Sequence, residues 1–186
     1  MMVRKDAKTG QEEAPESKDA QAEVAIVPTG PQLRAFRDAL GRFATGVTIV
    51  TIPGKHGPIG FTANSFSSLS MDPPLILWAP ARASARFELY SAAPHFAVHV
   101  LSQDQSDLIK NFHRGGDGFS AITHHHNAED VPIFPRSLAR FDCAQHATHD
   151  GGDHLIIVGR VLRFVTGTGA PLVFAQGRYG GFVPGK

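Results

Sequence analysis

The chain has 186 residues, enough for one domain with a proper hydrophobic core. Its 18 Lys/Arg and 17 Asp/Glu leave a formal net charge of +1 with no basic cluster, which argues against a nucleic-acid binder. Cys143 is the single cysteine and no apolar run reaches membrane-spanning length. These features exclude a disulfide framework and a membrane anchor, and a reducing cytoplasm is the expected location.

Residues 1–30 stand apart. They carry four Lys/Arg against six Asp/Glu, and no aromatic residue precedes Phe36. Such a segment buries too little apolar surface to offset its chain entropy, so a disordered N-terminal extension is expected, with the domain spanning 31–186. Pro31 suits a first helical turn, and Leu33, Phe36, Leu40 and Phe43 then recur at helical spacing on one face. Beyond Gly46 the texture changes to short β-branched or apolar runs between Gly and Pro: 47–52, around 60–66, 74–79 and 96–101. Helices are expected at 84–91 and at 103–113, the second opened by the capping-box pair Ser102 and Gln105.

The stretch 114–135 reads as a loop broken by glycines and Pro132. Strand character returns at 136–145 and in the long run 154–165, where Ile156, Val158, Leu162 and Phe164 alternate with Leu155, Ile157 and Val161. A strand apolar on both faces belongs in a barrel whose outside is covered by a helix or a second subunit. Many short strands, few helices and no βαβ alternation point to a mainly β protein, a barrel with peripheral helices.

Several motifs fail. GTGAPL (167–172) opens like a dinucleotide fingerprint, but Leu172 occupies the third glycine position. Adjacent His124, His125 and His126 cannot all converge on one ion, and no metal site is expected. Cys143 reads as core rather than nucleophile, and no serine is placed against His154 for a hydrolytic triad.

Three features converge instead. TANSFSSLSMDPP (62–74) is dense in hydroxyls, with Thr62, Ser65, Ser67, Ser68 and Ser70 beside Asn64. One strand face of such a run supplies a polar groove. In ARASARFELY (81–90), Ser84 is placed to cap a helix whose free N–H groups, with Arg82 and Arg86, suit a phosphate. In GGDHLIIVGRV (151–161) an Asp-His pair immediately precedes a barrel strand. A small molecule with a ring, a polar chain and a terminal phosphate would use all three.

The runs FATGVTIVT, GFTANSFSSLSMDPPLIL, FAVHVL, GGDHLIIVGRV and PLVFAQGRYG, in this order from about Leu33 to Tyr179, closely resemble the short-chain flavin reductase family. Members are the small reductase components of two-component flavin-dependent monooxygenases. The resemblance implies an FMN-binding split barrel, a homodimer with flavin at the subunit interface, and hydride transfer from NADH or NADPH to FMN or FAD. It implies that Thr62, Ala63, Asn64 and Ser65 meet the ring edge, and that Ser68, Leu69 and Ser70 follow the ribityl chain. The Ser84 loop would take the phosphate, while Gly152, Asp153 and His154 lie on the nicotinamide side. Two departures stand out: His99 replaces an asparagine common among relatives, which would alter hydrogen bonding if it faces the flavin, and Gly118 replaces a basic residue.

Direct hydride transfer needs no protein nucleophile or base. His154 is therefore expected to position nicotinamide, with Asp153 fixing the turn or the imidazole. The other readings are a non-enzymatic flavin-binding sensor on the same barrel and a split-barrel oxidase acting on its own substrate, such as a pyridoxamine phosphate oxidase.

Overall fold

A computed structural model describes residues 24–112 and 118–185. Much of the expected N-terminal extension, residues 1–23, therefore lies outside the described residues, and 24–29 have no regular structure. Contacts divide the chain between Phe36 and Arg37, and the barrel belongs entirely to the second unit.

The runs bounded by Gly and Pro become strands. Helix α1 (Leu33–Leu40) leads into β1 (Thr45–Gly46), β2 (Thr48–Ile52), β3 (Ile59–Ala63), β4 (Ser67–Met71) and β5 (Pro74–Trp78). Helix α2 (Phe87–Ala92), β6 (His95–Val100), α3 (Leu108–Phe112), β7 (His125–His126) and β8 (Pro132–Ile133) follow. A long hairpin of β9 (Ala139–Gly151) and β10 (His154–Thr166) precedes the short pair β11 (Leu172–Ala175) and β12 (Arg178–Gly181).

Seven strands form one antiparallel sheet in the order β3-β2-β6-β9-β10-β5-β4. Its two edge strands are consecutive in sequence, joined only by Asn64, Ser65 and Phe66. In a flat sheet those edges would stand about 29 Å apart, at about 4.8 Å per strand. The link from Ala63 to Ser67 spans about 14 Å at most. The sheet must therefore curl until its edges meet, and β3 and β4 face each other across the split of a barrel.

Alternation fills the barrel. Val50, Ile52, Ala63, Ile76, Trp78, Phe96, Val98, Cys143 and Ile157 form the interior cluster, capped by Tyr90 of α2. The Trp78 and Tyr90 rings meet edge to face at 5.4 Å. Gly159 of β10 is required here, because a β-carbon would stand 2.4 Å from the Phe96 ring. Ile49 and Leu101 face outward into a second cluster with Phe112, Phe119 and Phe134. Threonines buried within β2 are satisfied: Thr48 Oγ1 donates to Ala63 O at 2.7 Å, and Thr51 Oγ1 donates to Pro132 O at 2.7 Å. Together the two clusters give the mainly β barrel with peripheral helices that the strand count implied.

Three local expectations differ. The helix expected at 84–91 begins only at Phe87, and the one at 103–113 is split. Its Ser102–Gln105 box closes a 3₁₀ turn (Gln103–Gln105) before α3, with Ser102 N–H donating to Gln105 Oε1 at 3.2 Å. Strand β10 is buried or half-buried from His154 to Gly159, whereas Leu162–Thr166 is exposed on both faces among the described residues. Among the described residues no helix is long and apolar enough to cross a membrane.

Candidate active site

The β9–β10 hairpin ends in a two-residue turn, Gly152-Asp153, closed by the Gly151–His154 pair. Gly152 has φ +74°, which suits the first central position of a type II′ turn and disfavours any residue with a β-carbon. His154 Nδ1 lies 2.8 Å from Asp153 Oδ1. A carboxylate only accepts, so Nδ1 carries the proton of that bond, and in the neutral ring Nε2 is left as an acceptor. The bond, and then the charge of the ring, hold the Asp153 carboxyl below the ordinary carboxylate range. Asp153 thus both shapes the turn and fixes the imidazole.

The Thr62–Ser65 segment ends β3 and begins the link across the split. Phe61 and Ala63 pack inside the barrel, so Thr62 points to the opposite face, where its hydroxyl is buried without a partner among the described residues. Such an orphan costs about 1–3 kcal/mol unless a ligand or water satisfies it, which fits a polar group docking here. Ser65 Oγ ties the link to the end of β5, accepting from Ala79 N–H at 3.0 Å and donating to Ala79 O at 3.2 Å. On β4, Ser68 pairs with Ile76 and Ser70 with Leu75, so Leu69 is the extra residue of a bulge on an open edge. A hydroxyl-bearing edge strand with an unpaired bulge can offer both side-chain and main-chain donors to a flavin's polar chain.

Residues 79–84 join these regions. Ala81 bridges His154, Leu155 N–H donates to Pro80 O at 3.1 Å, and Arg82 N–H donates to Asp153 O at 2.9 Å. The Thr62–Ser65 link and the Gly152–His154 tip are therefore connected through one strap. The expected helix cap at Ser84 is corrected: residues 84–86 form a turn in which Ser84 Oγ accepts from Arg86 N–H at 3.3 Å, and Arg86 holds the N-cap position of a six-residue α2. The flanking guanidinium groups are also engaged. Arg82 binds Asp150 and the Gly152 carbonyl, and Arg86 donates to Gly60 O at 3.0 Å.

His99 belongs elsewhere. It is 0% exposed, stacked on Phe134 with centroids 3.8 Å apart, and its Nδ1 lies 3.2 Å from Ser137 Oγ. Its ladder row runs through Arg140 to Val165, at the opposite end of β10 from His154. The implied flavin contact is thus replaced by a core histidine, on the strand face it shares with Ala97 and Leu101. Burial, with Arg140 adding to it, lowers its pKa well below the ordinary 6.5. The folded ring stays neutral while the unfolded ring takes a proton below about pH 6.5, so acid favours the unfolded chain. Stability is expected to fall by up to about 1.4 kcal/mol per pH unit below that value. Urea unfolding of the wild type and His99→Asn across this range should show the slope reduced in the variant.

Burial likewise raises the Cys143 pKa, with Asp142 adding to it, leaving an inert thiol in the core. The His124 ring packs against Phe119 and His126, and among the described residues no group of three or more His, Cys, Asp or Glu could hold a metal. A cavity of about 600 Å³ gathers Asn64 with Arg42, Phe43, Thr45, Phe174 and Gln176. Of these only Asn64 was singled out by its residue type. The others come from β1, β11 and the turns beside them, and their convergence leaves no local signature.

The sequence pattern of the flavin reductase like domain matches residues 40–182. The chain is 52% identical over 160 residues to the FMN reductase (NADH) SmoA of Agrobacterium fabrum, across 86% of this chain and 92% of that protein. It is 38% identical over 157 residues to HsaB, a reductase subunit of a flavin-dependent monooxygenase from Mycobacterium tuberculosis, across 82% and 84%. The NADH:FAD oxidoreductase SgcE6 of Streptomyces globisporus, solved with NAD and FAD fragments, superposes with a TM-score of 0.79 at 32% identity, covering 87% of this chain and 98% of that one. Some other relatives are longer, and the chain spans about half of their length. These matches define the class as an oxidoreductase built on the split barrel. The chain belongs to the flavin reductase-like family.

Proposed function

We propose that this chain is an NADH-dependent FMN reductase that supplies reduced flavin to a partner flavin-dependent monooxygenase. The observation that carries this reading is the 52% identity to an FMN reductase (NADH) over 92% of that protein's length. Bound flavin supplies the acceptor for a hydride from nicotinamide. The protein's own work is orientation. Thr62, Ala63, Asn64 and Ser65 hold the polar ring edge, and main-chain N–H groups of that link stabilise negative charge developing there. Ser68, Leu69 and Ser70 hold the ribityl chain along the bulged edge of β4, and Ser84 receives the phosphate in its turn. Gly152, Asp153 and His154 form the nicotinamide side, with His154 Nε2 accepting a hydrogen bond from the carboxamide.

The working form is a cytoplasmic homodimer. The exposed end of β10, with Leu162, Phe164 and Val165, supplies an apolar surface for the second copy. Mixing the purified protein with FMN and NADH and following NADH absorbance tests the reaction. Turnover that depends on FMN is expected, faster with NADH than NADPH. Absence of oxidation with FMN, FAD and riboflavin alike would overturn it in favour of a flavin-binding protein without reductase activity.

A further inference from the structure

Residues 149–153 at the hairpin tip are all exposed and include the consecutive glycines Gly151 and Gly152. Two adjacent glycines make a pliant turn. Yet the following residue, His154, must present its ring at a fixed place if it is to orient a substrate. A single side chain grips both sides of this turn. Arg82 Nη2 donates to Asp150 Oδ1 at 2.7 Å, on the β9 side, and Arg82 Nε donates to the Gly152 carbonyl at 3.1 Å, within the turn. Its main-chain N–H reaches Asp153 O, the residue that holds the imidazole. The guanidinium itself is seated over the Phe87 ring, 5.5 Å from its centroid. Phe87 opens α2, so the grip is anchored to a helix rather than to a free loop.

We propose that Arg82 is a positioning residue for NADH, clamping the Gly152–His154 tip so that His154 is held ready for the nicotinamide. This rests on the reading of His154 given above. Two donors fixed in one plane are what the grip requires. Lysine keeps the charge toward Asp150 but cannot span to the Gly152 carbonyl with the same geometry. The Arg82–Asp150 pair is solvent-exposed, and such pairs contribute little to folding stability. Removing it should loosen the tip without unfolding the barrel.

Hydrogen exchange on the flavin-free protein reads the clamp without reference to activity. In Arg82→Ala, amides of 150–156, 79 and 81–84 are expected to exchange about tenfold faster, while those of β2 stay unchanged as the control for folding. In kinetics, KM for NADH is expected to rise about five- to tenfold with FMN affinity within about twofold, and Arg82→Lys to recover only part of the loss. In a His154→Ala background, Arg82→Ala should add less than about twofold, because its effect passes through the imidazole. Asp150→Asn should reproduce part of the exchange effect. Unchanged exchange at the tip overturns the proposal, as does a fully additive double variant. Weakened binding of FMN but not riboflavin would also overturn it, since Arg82 would then be a phosphate ligand. If the wild type oxidises no NADH, the reading of the site fails, while the exchange result still decides the clamp.

Discussion

Replacing His154 with alanine is expected to lower kcat/KM for NADH by about ten- to a hundredfold while FMN affinity changes by less than about twofold. The magnitude follows from removing one hydrogen bond, about 0.5–1.5 kcal/mol, together with the ring surface that would flank the nicotinamide in the proposed site, at about 1.4 kcal/mol per tenfold. The imidazole is about half-exposed and its Nδ1 is committed to Asp153, so Nε2 is the ring nitrogen available to a substrate. Neither group lies on the Thr62–Ser65 link, which is why flavin binding should be spared. Asp153→Asn offers a graded comparison: the turn survives, but the carboxylate that selects the tautomer is gone, so a smaller loss in the same parameter is expected. Steady-state kinetics against NADH, paired with fluorescence titration of FMN, separate the two effects. A parallel loss of flavin affinity in His154→Ala would place the histidine on the wrong substrate.

Phe164→Glu is expected to convert the proposed homodimer to monomer at micromolar concentration. Phe164 is 66% exposed and lies between Arg163, which pairs with Glu129 and Asp142, and the exposed Val165. Burying a phenylalanine side chain contributes about 1.5–3 kcal/mol, and a two-fold interface counts the substitution twice. The loss of about 3–6 kcal/mol weakens association by at least about a hundredfold, before the cost of burying a carboxylate is added. Sedimentation equilibrium reads the change directly. Because the residue is already exposed in one chain, its replacement should leave far-UV circular dichroism and the unfolding of the barrel itself unaltered. A variant that stays dimeric would move the interface away from β10.

The interior of the barrel was legible in the sequence because its strands are apolar runs punctuated by Gly and Pro. VTIVTI, PLILWA and FAVHVL need no partner to be seen. The end of β9 was not legible. Residues 146–150, HATHD, carry no apolar alternation and become strand only because β10 folds back on them. The short β1, β11 and β12 were missed as strands for a similar reason: two to four residues give no periodicity, and β1 pairs with β11 from more than a hundred residues away. At the site, the TANS link and the Gly-Gly-Asp-His tip were visible as local chemistry. Arg82 was seen but assigned to a phosphate, since its partners at 150 and 152 are distant in sequence and only the fold brings them together. Ser84 resembled a helix cap because a serine-initiated turn and a true N-cap share the same composition. His99 was tied to the flavin by the resemblance, and its stacking on Phe134 shows only once 134–137 folds against β6.

The three-residue link between β3 and β4 also governs solubility. An open sheet edge recruits strands from other molecules, which makes it a starting point for aggregation. Here the two edges that the barrel leaves unpaired are five residues each, and Ser65 holds the junction between them against Ala79. One edge is interrupted by the bulge at Leu69 and carries exposed serines rather than a flat apolar row. The opening that makes room for a ligand is thus guarded by the shortness of the link. Lengthening it would release both edges together, giving foreign strands two templates and a longer-lived exposed state. Insertions tolerated in most surface loops would be selected against at Asn64–Phe66 on grounds of aggregation alone.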